Sequence, residues 1–248
     1  MAKTVAKLTF LFAILWFVNG CYYVFMCTFA PSKTVRATGM KRIVCLMMWI
    51  ATLTVSGQTF TFDTLSDAVF ERMRGKSYKD GCTIPRSQLR YLQLSHYDGQ
   101  GRVCVGEIVC NKMIANDLKE IFQELYKHKY PIERMRLIDD YDADDESSMR
   151  ANNTSCFNYR PIAGSKKLSK HSQGLAIDIN PLYNPCVRRL ADGTTSVQPA
   201  TAGKYVSRNR RQRYMIDKSD LCYRLFVKHG FTWGGSWRSL KDYQHFER

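Results

Sequence analysis

Ser169-Lys170-His171-Ser172-Gln173-Gly174-Leu175-Ala176-Ile177-Asp178-Ile179 is the stretch on which the reading of this chain turns. Its second half alternates. Leu175, Ile177 and Ile179 fall on one side of an extended strand, Ala176 and Asp178 on the other. Such a strand has one face for a core and one for a cleft, with a small alanine leaving space beside the carboxylate. Gly174 lets the chain turn between His171 and the strand, so the imidazole and the carboxylate come back toward each other.

Working outward, residues 91–97 and 102–109 flank Asp98-Gly99-Gln100-Gly101, the pattern of a hairpin. Ile114, Leu118, Ile121, Phe122 and Leu125 recur at helical steps and predict an amphipathic helix that stops before Pro131. Residues 64–73 have helical spacing with Gly75 to end them, and 219–229 form a second such segment ahead of Gly230. Met135-Arg136-Leu137-Ile138 reads as a strand leading into an acidic loop, 139–146, and residues 181–213 read as a loop rich in Pro, Gly and Arg. Helices and strands mix without regular alternation. The expected fold is α+β, a single domain with a central, partly antiparallel sheet flanked by helices.

The bulk numbers add a basic character. The net charge is +15, and residues 58–248 hold 31 bases against 22 acids. That balance suits an anionic membrane, an acidic wall polymer or nucleic acid, without choosing among them. Residues 8–30 are an apolar run about long enough to cross a bilayer. A second run starts at Met40-Lys41-Arg42 and exits through Thr54-Val55-Ser56-Gly57, the pattern of a secretory signal peptide. The expected organisation is residues 1–39 as an upstream extension or membrane segment, 40–57 as signal peptide, and 58–248 as the folded domain, its core from about 80. The domain is then exported to a periplasmic or cell-surface location, with membrane anchoring through the N-terminal apolar segment as the rival arrangement. Export excludes nucleic acid as a partner. The six cysteines beyond residue 58 fit either a disulfide framework or buried thiols, but Cys104 and Cys110, about 20 Å apart along one strand, are not a pair.

Five histidines are present. His96, His128 and His229 have no partner at ligand spacing and are expected to be structural. His171 and His245 differ, each tied to a carboxylate by a short step: His171 to Asp178, and His245 to Asp242 three residues before it. Two imidazoles and one carboxylate with a fourth position open to water is a catalytic zinc arrangement. Such a metal polarises a carbonyl and makes hydroxide available near neutral pH. A second carboxylate, Asp242, is placed to act as base and then acid, and Arg160 to stabilise developing negative charge or hold a substrate carboxylate.

Ser169-x-His171-x-x-Gly174-x-Ala176-x-Asp178, Trp233-Gly234-Gly235-x-Trp237 and Asp242-x-x-His245 together resemble the VanY-like D-alanyl-D-alanine carboxypeptidases and the related L-alanyl-D-glutamate endopeptidases. These zinc metallopeptidases share a fold with the hedgehog signalling domain. The resemblance is dense over 150–185 and 230–247. It implies one Zn2+ held by His171, Asp178 and His245, with Asp242 as catalytic base. Arg160 corresponds to the arginine at the carbonyl oxygen, with Arg150 as a substitute, and Ser169 contacts the substrate peptide. It implies peptidoglycan stem peptides as substrate, cleaved as a D-Ala-D-Ala carboxypeptidase. The alternatives are the endopeptidase reaction and a non-catalytic, zinc-containing module that binds cell wall. Trp233 and Trp237 are expected to pack beneath the site. The acidic run 139–146 lacks the spacing of a calcium loop, Arg208, Arg210, Arg211 and Arg213 form a basic patch, and Cys186 is an outlying alternative ligand.

Overall fold

The computed structural model describes residues 11–18, 21–28, 57–162, 165–209 and 211–248, in two units that divide between Val55 and Ser56. In the first unit Leu11–Val18 (β1) and Cys21–Thr28 (β2) pair antiparallel, Val18 opposite Cys21. Both strands fall within the apolar run 8–30. Among the described residues no helix is long and apolar enough to cross a membrane. The expected signal peptide lies, but for Gly57, outside the described residues.

The second unit is α+β, its strands divided among several small sheets. Phe60–Thr64 (β3) precedes Asp67–Met73 (α1), which Ser66 caps by accepting from the Val69 amide. The predicted hairpin is Leu89–Tyr97 (β4) and Val103–Asn111 (β5), in a β3–β4–β5 sheet. Asp98 closes its turn by accepting from the Gln100 and Arg102 amides. Ala115–Lys127 (α2) lays Leu118, Ile121, Phe122 and Leu125 across Leu92, Leu94, Ile108 and Cys110 to form the main core.

The strand expected over 135–138 is cut short. Only Arg134–Met135 (β6) is extended, and a 3-10 turn begins at Ile138. Buried Asp139 explains the bend, since its carboxylate accepts from the amide and hydroxyl of Ser77 at 2.9 and 3.0 Å. Part of the expected acidic loop is the helix Asp145–Arg150 (α3), capped by Asp144 through the Ser147 amide. Two of the other acids face separate cations, Asp140 with Arg72 and Asp142 with Lys76. Asn153–Thr154 (β7) then runs parallel to β6.

Downstream come Ala176–Asp178 (β8), Cys186–Arg189 (β9), Thr195–Gln198 (β10), Leu221–Lys228 (α4), Thr232–Trp233 (β11), Lys241–Asp242 (β12) and His245–Glu247 (β13). They form two three-stranded sheets, β11–β13–β8 and β10–β9–β12. The region expected as a loop thus contains the β9–β10 hairpin, turned at Asp192-Gly193 with Gly193 at φ +83°. Of the basic patch, Arg208 is a brace. It donates to the Tyr183 and Ile216 carbonyls and to Asn184 Oδ1, and lies over the Tyr243 ring. Arg211 pairs with Asp220. All six cysteines of this unit are free thiols, Cys104 and Cys110 lying on the same strand.

Candidate metal centre

The β8–β13 register sets the centre. Asp178 is directly opposite His245, Ile177 opposite Phe246, and Ala176 opposite Glu247. Because side chains alternate across a strand, Ile177 and Phe246 turn together into the core, where Phe246 stacks on Phe226 with ring centres 4.3 Å apart. Asp178, His245 and Glu247 turn together to the other face. The alanine at 176 leaves space opposite Glu247, whose Oε2 lies 3.1 Å from His245 Nε2.

His171 reaches the same point from a 3-10 turn, Lys170–Gln173, whose first amides are capped by Ser169 Oγ accepting from the His171 amide. Gly174 ends the turn at φ +65°, and a Cβ there would lie 2.7 Å from the Asn111 amide nitrogen. Both the left-handed backbone and this close approach require glycine. His171 Nδ1 donates to the Cys156 carbonyl at 2.6 Å. Its Nε2 is left facing His245 Nδ1 at 3.2 Å and Asp178 Oδ2 at 3.3 Å, with His245 Nδ1 3.1 Å from Asp178 Oδ1.

The outer partners decide the tautomers. With Nδ1–H of His171 on a carbonyl and Nε2–H of His245 on Glu247, the inner atoms are two imidazole lone pairs and a carboxylate. These ligand atoms all lie within 4.8 Å of one another. Such a convergence of electron pairs fits a divalent cation, and the outer hydrogen bonds are those that orient metal-bound histidines. Electrostatics agrees. Burial opposes ionisation of Asp178, yet the His171 and His245 rings hold its carboxyl well below the usual range. Burial likewise opposes a charge on His245, but Asp178 and Glu247 outweigh it and raise the ring to about 10 when no cation is present.

Asp242 stands beside this cluster on β12, opposite Cys186 of β9. It is brought close by Gly234, where a Cβ would lie 2.7 Å from the Asp242 carbonyl oxygen and 2.9 Å from its Cβ. Asp242 Oδ1 is buried without a hydrogen-bond partner. Burial, with the Asp178 charge adding to it and His245 partly offsetting it, raises the carboxyl to about 6. Two neighbouring carboxyls are thus pushed apart, Asp178 downward and Asp242 upward.

Both acids, both histidines, Ser169 and Arg160 line one cleft of about 710 Å³. Arg160 is fixed at its backbone, where Ser172 Oγ accepts from its amide and donates to its carbonyl, and its guanidinium pairs with Asp145. Arg150 pairs with Glu146 on the surface and is not among the cleft-lining residues. Trp233 is buried and donates its Nε1–H to the Tyr243 carbonyl, as expected of a core residue. Trp237 instead lines the cleft, its ring 5.2 Å from His245. Cys186 also lines the cleft but lies outside the His171–Asp178–His245 group. The remaining histidines are structural: His96 bonds to the Ile132 carbonyl, His128 to the Glu124 carbonyl, and His229 to Asp117, a distant acid. Sequence reasoning missed Glu247, although a strand at 245–247 puts it on the His245 face. It also missed Gln198, and it had Asp145 only as part of the acidic run and Arg188 only as one of several cations in the loop after β8.

Residues 163–248 match the model of a family described as D-alanyl-D-alanine carboxypeptidase. The matched segment holds Ser169, His171, Asp178, Asp242 and His245 and excludes Arg160 and the β3–β4–β5 sheet. No curated protein and no solved structure matches the chain. The C-terminal third is thus similar to peptidases of that description, and it holds His171, Asp178 and His245 together.

Proposed function

We propose that this protein is a zinc-dependent peptidase that removes the terminal D-alanine from peptidoglycan stem peptides. The observation that carries the reading is the convergence of His171 Nε2, Asp178 and His245 Nδ1 next to an acid whose buried oxygen has no partner, Asp242. His171, Asp178 and His245 are the donor set that would hold a catalytic zinc ion. Zinc held there supplies Lewis acidity, polarising a peptide carbonyl and making water more acidic.

The chain's own residues do the rest. Asp242 takes a proton from the attacking water and returns it to the departing amine, work suited to a carboxyl held near 6. Glu247 and the Cys156 carbonyl keep the imidazoles in the tautomers that point lone pairs inward. Arg160 supplies positive charge at the cleft wall for the developing oxyanion. Ser169 holds the His171 turn and faces the peptide. An acid with an unsatisfied buried oxygen favours this reading over a wall-binding module, which has no use for one. Stem peptides place the protein outside the cytoplasm, at the periplasm or cell surface.

The test is hydrolysis of a synthetic stem peptide by the full chain. Release of alanine that is lost on chelation and restored by zinc supports the reading, and hydrolysis indifferent to chelation rejects it.

A further inference from the structure

We infer that Arg188 is the specificity-determining residue of this cleft, receiving the free α-carboxylate of a substrate's last residue. The inference deepens the peptidase reading and rests on it. It starts from strand register. In the β10–β9–β12 sheet Asp242 is opposite Cys186, and Cys186 is opposite Gln198, so one row runs Asp242–Cys186–Gln198. Two residues along β9, on the same face, the next row is Arg188 opposite Ser196. Asp242, Cys186, Gln198 and Arg188 all line the cleft. A recess of about 120 Å³ continues it past Arg188 to Ser196 and Leu190.

The spacing selects what binds there. Consecutive rows on one face lie about 6.5 Å apart along a strand. In a peptide cleaved at its last bond, the terminal carboxylate lies about one residue, roughly 3.5 Å, beyond the scissile carbonyl. The long arginine side chain spans the difference. A guanidinium is also the side chain that matches a carboxylate with two parallel hydrogen bonds.

The other cleft cations are engaged or peripheral. Arg160 pairs with Asp145, Lys170 donates to the Arg248 carbonyl, and Lys167 is exposed at the rim. Arg188 is half-buried and makes no ion pair among the described residues. The recess beyond it is small and lined by Leu190 and Ser196, which suits a small final side chain.

Two synthetic stem peptides ending in D-Ala-D-Ala test this, one with a free C-terminal carboxylate and one amidated. The expected result for the zinc-loaded full chain is a preference for the acid. Arg188→Ala should raise KM for the acid by about 100-fold while kcat changes little, and leave the amide unaffected. Arg188→Lys should recover part of the loss. Binding of both peptides to Asp242→Asn, which should not turn over, gives the same comparison without cleavage. An acid-over-amide preference that survives Arg188→Ala overturns the assignment of Arg188 and leaves the peptidase reading standing. Cleavage inside the stem, equal for acid and amide, overturns both the assignment of Arg188 and removal of the terminal alanine, leaving only a metal-dependent peptidase. Failure to cleave or bind either peptide removes both readings.

Discussion

Asp178 and His245 occupy directly opposed positions on β8 and β13, and their side chains meet at 3.1 Å. One residue along each strand, Ile177 and Phe246 are opposed in the core. The two ligands are therefore held by the same register that packs the domain, so a change in the packing reaches the metal centre through a single hydrogen-bonded pair of strands. His171 is less directly coupled, since its turn is fixed by Ser169, Gly174 and the Cys156 carbonyl.

In the proposed mechanism Asp242 separates proton transfer from metal binding. Asp242→Asn keeps the side-chain volume and all three ligands. It should lower kcat by at least about a thousandfold while zinc content stays near one ion per chain. In the parent enzyme the acid limb of the pH–rate profile should fall at or below about pH 6, because burial raises Asp242 to about 6 and a bound cation draws it back down. Full activity in the variant, or an acid limb it shares with the parent, contradicts the assignment.

The same carboxyl costs stability. In the unfolded chain it ionises near its ordinary value of 3.8, in the folded protein only near 6. The folded state therefore binds the proton more tightly, and its stability falls as pH rises through that interval. Metal-free Asp242→Asn should be more stable than metal-free parent at pH 7 by about 1 kcal/mol, discounted for the partly open site. The gain should vanish below about pH 4, and paired urea titrations at the two pH values would show it.

Zinc and a proton compete for His245 Nδ1. Without a cation the ring is raised to about 10 and is protonated at neutral pH. Binding should therefore release about one proton at pH 7. Titration calorimetry in buffers of different ionisation enthalpy measures this, and a heat independent of buffer argues against His245 as a ligand.

Gly234 is predicted to matter mainly through Asp242, with His245 Cβ the next nearest atom at 3.3 Å. Its backbone is not left-handed, but a Cβ would meet the Asp242 backbone and Cβ at under 3 Å. Gly234→Ala should displace Asp242 and reduce kcat by about 10- to 100-fold with zinc retained. Phe246→Ala should act through the core instead, destabilising the domain by about 3–5 kcal/mol and weakening zinc binding because His245 precedes it on β13.

Much of this was legible in residues 175–179, where a period of two gave Asp178 an open face and Ile177 a buried one. The hairpin over β4 and β5 and the α2 stripe were equally plain, because each carries its own periodicity. What escaped was set by distant partners. The strand expected at 135–138 ends early because Ser77 captures Asp139, a contact with no local trace. The β9–β10 hairpin did have a signal, Asp192-Gly193 between short alternating runs, but its arginines obscured it. That omission left Arg188 as one cation among several in a loop and hid Gln198, and with them one wall of the cleft.

The central claim is that this centre cleaves the last bond of a stem peptide. Mass spectrometry of purified muropeptides after digestion by the zinc-loaded full chain tests it most directly. The account predicts loss of a single alanine from pentapeptide stems, absent with chelator. Unchanged muropeptides, or products cut between L-Ala and D-Glu, would contradict it.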